Sequence, residues 1–264
     1  MSSHAHPHAH AEPSDMTTSP VSQNWERYTL ADHQVWQTLY AKRMSELEST
    51  ASDVFLRGAE LIGLSESQIP DLAEVNRRLS VRTGWNAVPV AGFLPAKEFF
   101  ASLARRRFPT TVTIRSADSI DYVPEPDIFH DVFGHVPLHS DPAFAGFLQR
   151  FGEAASLAGS DTEVEMMARF FWFTVEFGLV SERGRTRIYG SGLISSAGDA
   201  ANALGPGCDR RPFSVEAVVS EPFRIDNLQD VLFVVESFDQ LFEAVERVIH
   251  AMKSGDSGSL LVKG

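Results

Sequence analysis

Cysteine is almost missing: Cys208 is the one thiol in 264 residues. A lone thiol cannot close an internal disulfide and offers no thiolate cluster for zinc or an iron–sulfur group, so the usage fits a reducing cytoplasm. Positive charge is also short, with 23 Lys and Arg against 35 Asp and Glu and a formal net charge of −12. A chain this acidic has no general attraction for phosphate backbones or anionic membranes, which argues against a nucleic-acid or membrane role. Its one basic run, Arg105-Arg106-Arg107, reads as a solvated helix end. No stretch approaches the roughly 18 apolar residues of a membrane span, and the first residues lack the apolar core of a secretion signal.

What remains is an ordinary globular composition, 43% hydrophobic and 22% charged, enough for a substantial core. Residues 1–24 are polar and carry proline. Their four alternating histidines in HAHPHAH could bind metal only weakly without a scaffold, so they are read as a disordered tail. From residue 29 the pattern is helical: Trp36, Leu39, Tyr40, Met44 and Leu47 recur at three- and four-residue spacing. Further helices are predicted over 51–62, 70–79 and 95–107. Short strands are predicted over 110–114, 185–189 and 231–235. Ser160 and Ser237 open capping boxes, the first ahead of a long helix through 180 and the second ahead of a last helix to about 252. The fold predicted is mainly α, a single catalytic domain of packed helices with a few short β-strands, over residues 25–253. Residues 254–264 are read as a flexible tail.

Three histidines fall in EPDIFHDVFGHVPLHSD. His130 and His135 are five apart, which an ideal α-helix would splay by about 140°. A loosened, π-type turn would bring them together, and Gly134 makes that distortion cheap. His139, beyond Pro137, is expected in a surface loop. A carboxylate to complete a metal site is available in FFWFTVEFGLV, where Glu176 stands alone in an apolar run and is costly to bury without a cation. Two imidazoles and one carboxylate leave open positions on an octahedral iron(II), the donor set of oxygen-activating iron enzymes. From spacing alone, a helix-end histidine pair and a Glu reaching solvent or an arginine remain open.

Four segments, PVAGFL (89–94), PEPDIFHDVFGHVPLHSD (124–141), WFTVEFGL (172–179) and YGSGLISS (189–196), closely resemble the signature segments of the pterin-dependent aromatic amino acid hydroxylases, in the family's order. The resemblance implies a monooxygenase that uses iron(II), a tetrahydropterin and O2 to hydroxylate an aromatic ring. It makes His130, His135 and Glu176 the iron ligands. Asp127 would orient His130, and Asp131 would reach toward the pterin edge. Arg115 would pair with the substrate carboxylate, supported by Ser195, and Pro126 and Trp172 would wall the substrate ring. On the pterin side it implies Gly92, Leu94, Phe99, Phe100, Phe108 as the stacking aromatic, and Ala168.

Asp131 replaces the Glu of animal members, Val123 a threonine, Phe171 a tyrosine and Pro109 a histidine. These departures leave the three ligands intact and bear on cofactor affinity. The short chain lacks the regulatory domain and the oligomerising heptad tail of animal members, so a monomer acting on phenylalanine is expected. Tryptophan 5-hydroxylation and a zinc hydrolase using the same two histidines and glutamate are the alternatives.

Overall fold

Thr29 starts the first long helix with a capping box: its hydroxyl accepts from the Asp32 N–H, and the Asp32 carboxylate accepts from the Thr29 N–H at 2.8 Å. The computed structural model describes residues 21–92, 94–120 and 126–261. The histidine tract and Val123 lie outside the described residues. Helices α1 (Leu30–Thr50), α2 (Asp53–Ile62) and α3 (Leu72–Thr83) lead into β1 (Asn86–Val90), α4 (Ala96–Leu103) and β2 (Arg107–Thr111). The strands β1 and β2 pair in parallel, with α4 as their crossover. The packed domain begins before residue 25, because the Gln23 amide already bonds Pro70 O and Leu72 N at 2.8 Å each.

Helices α5 (Pro142–Ala155) and α6 (Asp161–Phe171) follow. Contrary to the sequence reading, α6 does not run through residue 180. The chain widens into a π-turn at Trp172–Glu176 and enters β3 (Leu179–Glu182) after Gly178, where any Cβ would sit 2.1 Å from the Tyr189 ring. A two-residue turn joins β3 to β4 (Arg185–Ile188). Arg183 and Gly184 have φ of 53° and 74°, the positive pair that a type I′ hairpin requires. Next come α7 (Ser191–Ser195), α8 (Ala197–Leu204), β5 (Asp209–Pro212), α9 (Val215–Ser220), β6 (Val231–Val235) and α10 (Phe238–Ser254). The second sheet has the order β4-β3-β6-β5, antiparallel only at the hairpin.

α10 packs along α5, with Arg150 paired to Glu246 between them. Behind the histidine segment Phe129 and Phe133 stack at 4.5 Å, and Trp36, Phe55 and Tyr40 meet Phe133 edge-on. Burying each such ring contributes about 1.5–3 kcal/mol, so this cluster is a rigid footing for the turn above it. Part of the C-terminal segment is also docked. Ser257–Leu260 form a 3-10 turn with Leu260 buried, and the Ser257 hydroxyl donates to Glu163 at 2.6 Å. Among the described residues no helix is long and apolar enough to cross a membrane.

Candidate active site

Phe129–His135 is a π-helical segment, so its i→i+5 bonding returns residues five apart to one side. The predicted loosening is therefore present, and it aligns His130 with His135. A Cβ at Gly134 would lie 3.1 Å from the Ser191 carbonyl, so the turn also seats α7 closely. The second π-turn, Trp172–Glu176, is closed by the Phe177 N–H on Trp172 O at 2.8 Å. It delivers Glu176 to the same point. The two Nε2 atoms are 3.3 Å apart, His135 Nε2 is 3.3 Å from Glu176 Oε1, and His130 Nε2 is 3.7 Å from Glu176 Oε2. Donors bound to one ion at about 2.1 Å and at right angles lie about 3 Å apart, so small movements bring all three onto one metal.

Their tautomers follow from the hydrogen bonds. The Ser195 hydroxyl has one proton and donates it to Ser191 O at 2.8 Å, so at His130 Nδ1, 2.9 Å away, it accepts. His130 thus carries its proton on Nδ1 and turns the Nε2 lone pair inward. Ser191, absent from the sequence expectations, donates to Glu176 Oε2 at 2.7 Å. The only sequence signal for it is its place inside YGSGLISS. Both serines sit on α7, whose Leu193 and Ile194 carbonyls accept from the buried Arg43 guanidinium at 3.0 and 2.8 Å.

Two carboxylates stand near the histidines. Asp131 lies within 4.8 Å of a ring nitrogen of each. One of its oxygens, however, accepts from both the Thr111 N–H (2.7 Å) and the Thr111 hydroxyl (2.8 Å), and burial pushes its carboxyl up to about 6. Glu176 is the nearer partner of both Nε2 atoms. Burial alone would raise its carboxyl, but His135 first, then His130 and Ser191, hold it well below the usual range. Of the two, Glu176 is the carboxylate that stays anionic to the lower pH.

Asp127, expected to orient His130, meets that residue at its backbone. It caps the turn by accepting from the His130 backbone N–H at 3.0 Å, and it grips Arg115 through Nε (2.8 Å) and Nη2 (2.9 Å). The hydrogen bond at the ring itself is to Ser195, 2.9 Å from His130 Nδ1. Burial pushes the Asp127 carboxyl up, but Arg115 and the backbone bonds more than reverse this. Arg115 spends its side edge on Asp127 and one Nη1 proton on Ile120 O at 3.3 Å. Nη1 and Nη2 each keep a second proton for which no further acceptor is found among the described residues. A second carboxylate fits there in bidentate fashion.

The expected aromatic wall is present in part. Phe99 is half-buried and meets Phe100, Phe108 and Phe171 edge-on at 5.6, 5.9 and 5.6 Å. Gly92, Leu94, Phe100, Ala168 and Trp172 are half-buried and Pro126 is exposed. Phe108 departs from expectation. It is 1% exposed and wedged between His135 (4.6 Å) and His139 (4.9 Å), so its ring backs a histidine and presents no open face. His139 departs more: it is fully buried against Trp85, Phe108 and Phe144, not in a surface loop.

The sequence profile of the biopterin-dependent aromatic amino acid hydroxylases matches residues 20–255. A phenylalanine-4-hydroxylase of Caulobacter vibrioides is 44% identical over 228 residues, which is 86% of this chain and 78% of that protein. The crystal structure of Chromobacterium violaceum phenylalanine hydroxylase with bound oxidised Fe(III) superposes with a TM-score of 0.86 at 36% identity, covering 92% of this chain and 89% of that one. A second structure of that enzyme, holding iron(III) and the oxidised cofactor 7,8-dihydrobiopterin, gives 0.84 at 38% identity over 89% and 86% of the two chains. Sequence, fold and the two-histidine, one-carboxylate geometry agree, and the chain belongs to the biopterin-dependent aromatic amino acid hydroxylases.

Proposed function

We propose that this chain is a phenylalanine 4-monooxygenase, converting L-phenylalanine to L-tyrosine with O2 and a tetrahydropterin at an iron(II) centre. The observation that carries the reading is the meeting of His130, His135 and Glu176 within 3.7 Å, from two π-turns. The donor set fits iron: two imidazoles and one carboxylate, no sulfur, with three octahedral positions left for other ligands. Iron and tetrahydropterin, when bound, supply the activation of O2 and two of the four electrons it takes up; the substrate supplies the other two.

The protein's own part is placement and exclusion. Ser195 holds the His130 lone pair inward, and Ser191 holds one oxygen of Glu176. The free edge of Arg115 takes the amino acid carboxylate, which leaves the aromatic end to reach the metal. Phe99, Phe100 and Trp172 furnish apolar walls that keep water from the reacting ring, with Pro126 at the mouth, and Gly92, Leu94 and Ala168 complete the pterin side. The chain acts as a monomer in a reducing cytoplasm, consistent with one buried thiol; size-exclusion chromatography with light scattering tests the first point.

Anaerobic loading with Fe(II), followed by tetrahydropterin, O2 and each of phenylalanine, tyrosine and tryptophan, tests the whole reading. Tyrosine is the expected main product. Dominant 5-hydroxytryptophan would assign the other substrate, and no pterin-dependent O2 uptake would end the proposal. Glu176→Ala and His130→Ala are expected to lose iron and activity together.

A further inference from the structure

Trp172 opens the π-turn that ends in Glu176, four residues before the carboxylate, and is half-buried. Its ring stacks on Phe177 at 4.7 Å and on Phe223 at 4.6 Å. Its indole N–H donates to Gln229 Oε1 at 3.1 Å. Phe223 and Gln229 both belong to the segment between α9 and β6, so one loop supplies a stacking ring and an acceptor to the same indole.

Gln229 is buried, and both protons and the carbonyl oxygen of its side chain are engaged. Nε2 donates to Arg224 O and to Asn227 O, each at 2.8 Å, and Oε1 takes the indole proton. Every partner is of the right kind, so the amide orientation is fixed by chemistry. Its backbone carbonyl accepts from Asn202 Nδ2 at 2.8 Å, tying the loop to α8. A loop knotted by one glutamine, and attached through it to a ring in the turn that carries Glu176, transmits its own conformation to that ring.

We infer that Gln229 is a positioning residue for Trp172, and that through it the 221–230 loop sets the width of the pocket that discriminates among aromatic substrates. The inference rests on the phenylalanine hydroxylase reading. With the indole pinned, the wall stands at a fixed distance from the Glu176 turn. With the pin removed, the ring gains freedom about its χ angles and the wall recedes. A small aromatic side chain then loses contact, and a bulkier one gains room.

The test is Gln229→Met, close in volume but unable to hold the loop or the indole, in the iron-loaded enzyme. KM for phenylalanine is expected to rise about fivefold to tenfold with kcat changed less than twofold, and the preference for phenylalanine over tryptophan in kcat/KM to fall about tenfold. The same substitution in a Trp172→Phe background, where no indole N–H exists, is expected to leave KM unmoved. If it shifts KM equally there, or if Gln229→Met alters kcat and KM for both substrates alike, the inference is overturned. Should Gln229→Met fail to fold, Phe223→Leu removes the stack without stranding a polar group. It is expected to lower the phenylalanine preference in the same way, and an unchanged preference would overturn the inference. A wild-type enzyme that makes no tyrosine would instead refute the functional reading.

Discussion

His139 presses its ring to within 4.9 Å of Phe108, whose ring meets His135 at 4.6 Å. Both ring nitrogens of His139 are buried without a hydrogen-bond partner among the described residues. Burial, with His135 as a lesser cause, holds its pKa well below the ordinary histidine value. The folded chain therefore keeps His139 neutral, while the unfolded chain protonates it below pH about 6.5. Stability from this group is complete above that pH and falls as pH drops below it, by up to about 1.4 kcal/mol per pH unit. His139→Phe is expected to stabilise the protein by about 1–2 kcal/mol at pH 7, because stranded polar atoms are replaced by ring carbon. Urea unfolding at pH 7.0 and 5.5 measures both: the gap between variant and wild type should widen at the lower pH. A constant gap would show that His139 is protonated in the folded state.

Ser195→Ala removes the acceptor that fixes the His130 tautomer. Iron(II) affinity is expected to fall about tenfold to a hundredfold, with little change in melting temperature, since one half-buried hydroxyl is lost. Equilibrium dialysis against Fe(II) or Co(II) reads this directly. Unchanged affinity would mean that the ring is held by packing alone.

Arg115 and Asp127 form a buried ion pair, with side chains 7% and 4% exposed. Removing one partner strands the other charge and is expected to cost about 3–5 kcal/mol. Asp127→Asn should therefore destabilise strongly and let the guanidinium swing from its clamp, raising KM for phenylalanine. Arg115→Lys retains the charge but cannot serve two carboxylates side-on and end-on, so it should raise KM at least tenfold. Steady-state kinetics with denaturation curves separate the two effects.

Gly190 matters for space and not for its dihedrals. A Cβ there would lie 2.3 Å from Gly178 N and 2.4 Å from Glu176 O. Gly190→Ala is expected to push α7 off the glutamate turn, costing about 1–3 kcal/mol and lowering iron content as Ser191 and Ser195 retreat from their partners. Native iron content in a stable variant would show that the contact relaxes freely.

The sequence by itself determined what depends on neighbours along the chain. Side-chain spacing placed the caps at Ser160 and Ser237, though only Ser160 closes the full capping box because Gln240 turns to the Glu236 N–H, and apolar periodicity marked α1. Five-residue histidine spacing with Gly134 between meant that the two rings could meet only in a widened turn, and the family motifs singled out Glu176. Tertiary structure decided the rest, because the deciding contacts join residues far apart in the chain. His139 is buried because Trp85 and Phe144 close over it. The His130 ring answers to Ser195, 65 residues away, and α7 to Arg43, about 150 residues away. The chain turns into β3 after Gly178, where the Tyr189 ring leaves no room for a side chain. Local propensity covers about one helical turn, whereas a side chain's hydrogen-bond partner is chosen by which distant segment packs against it.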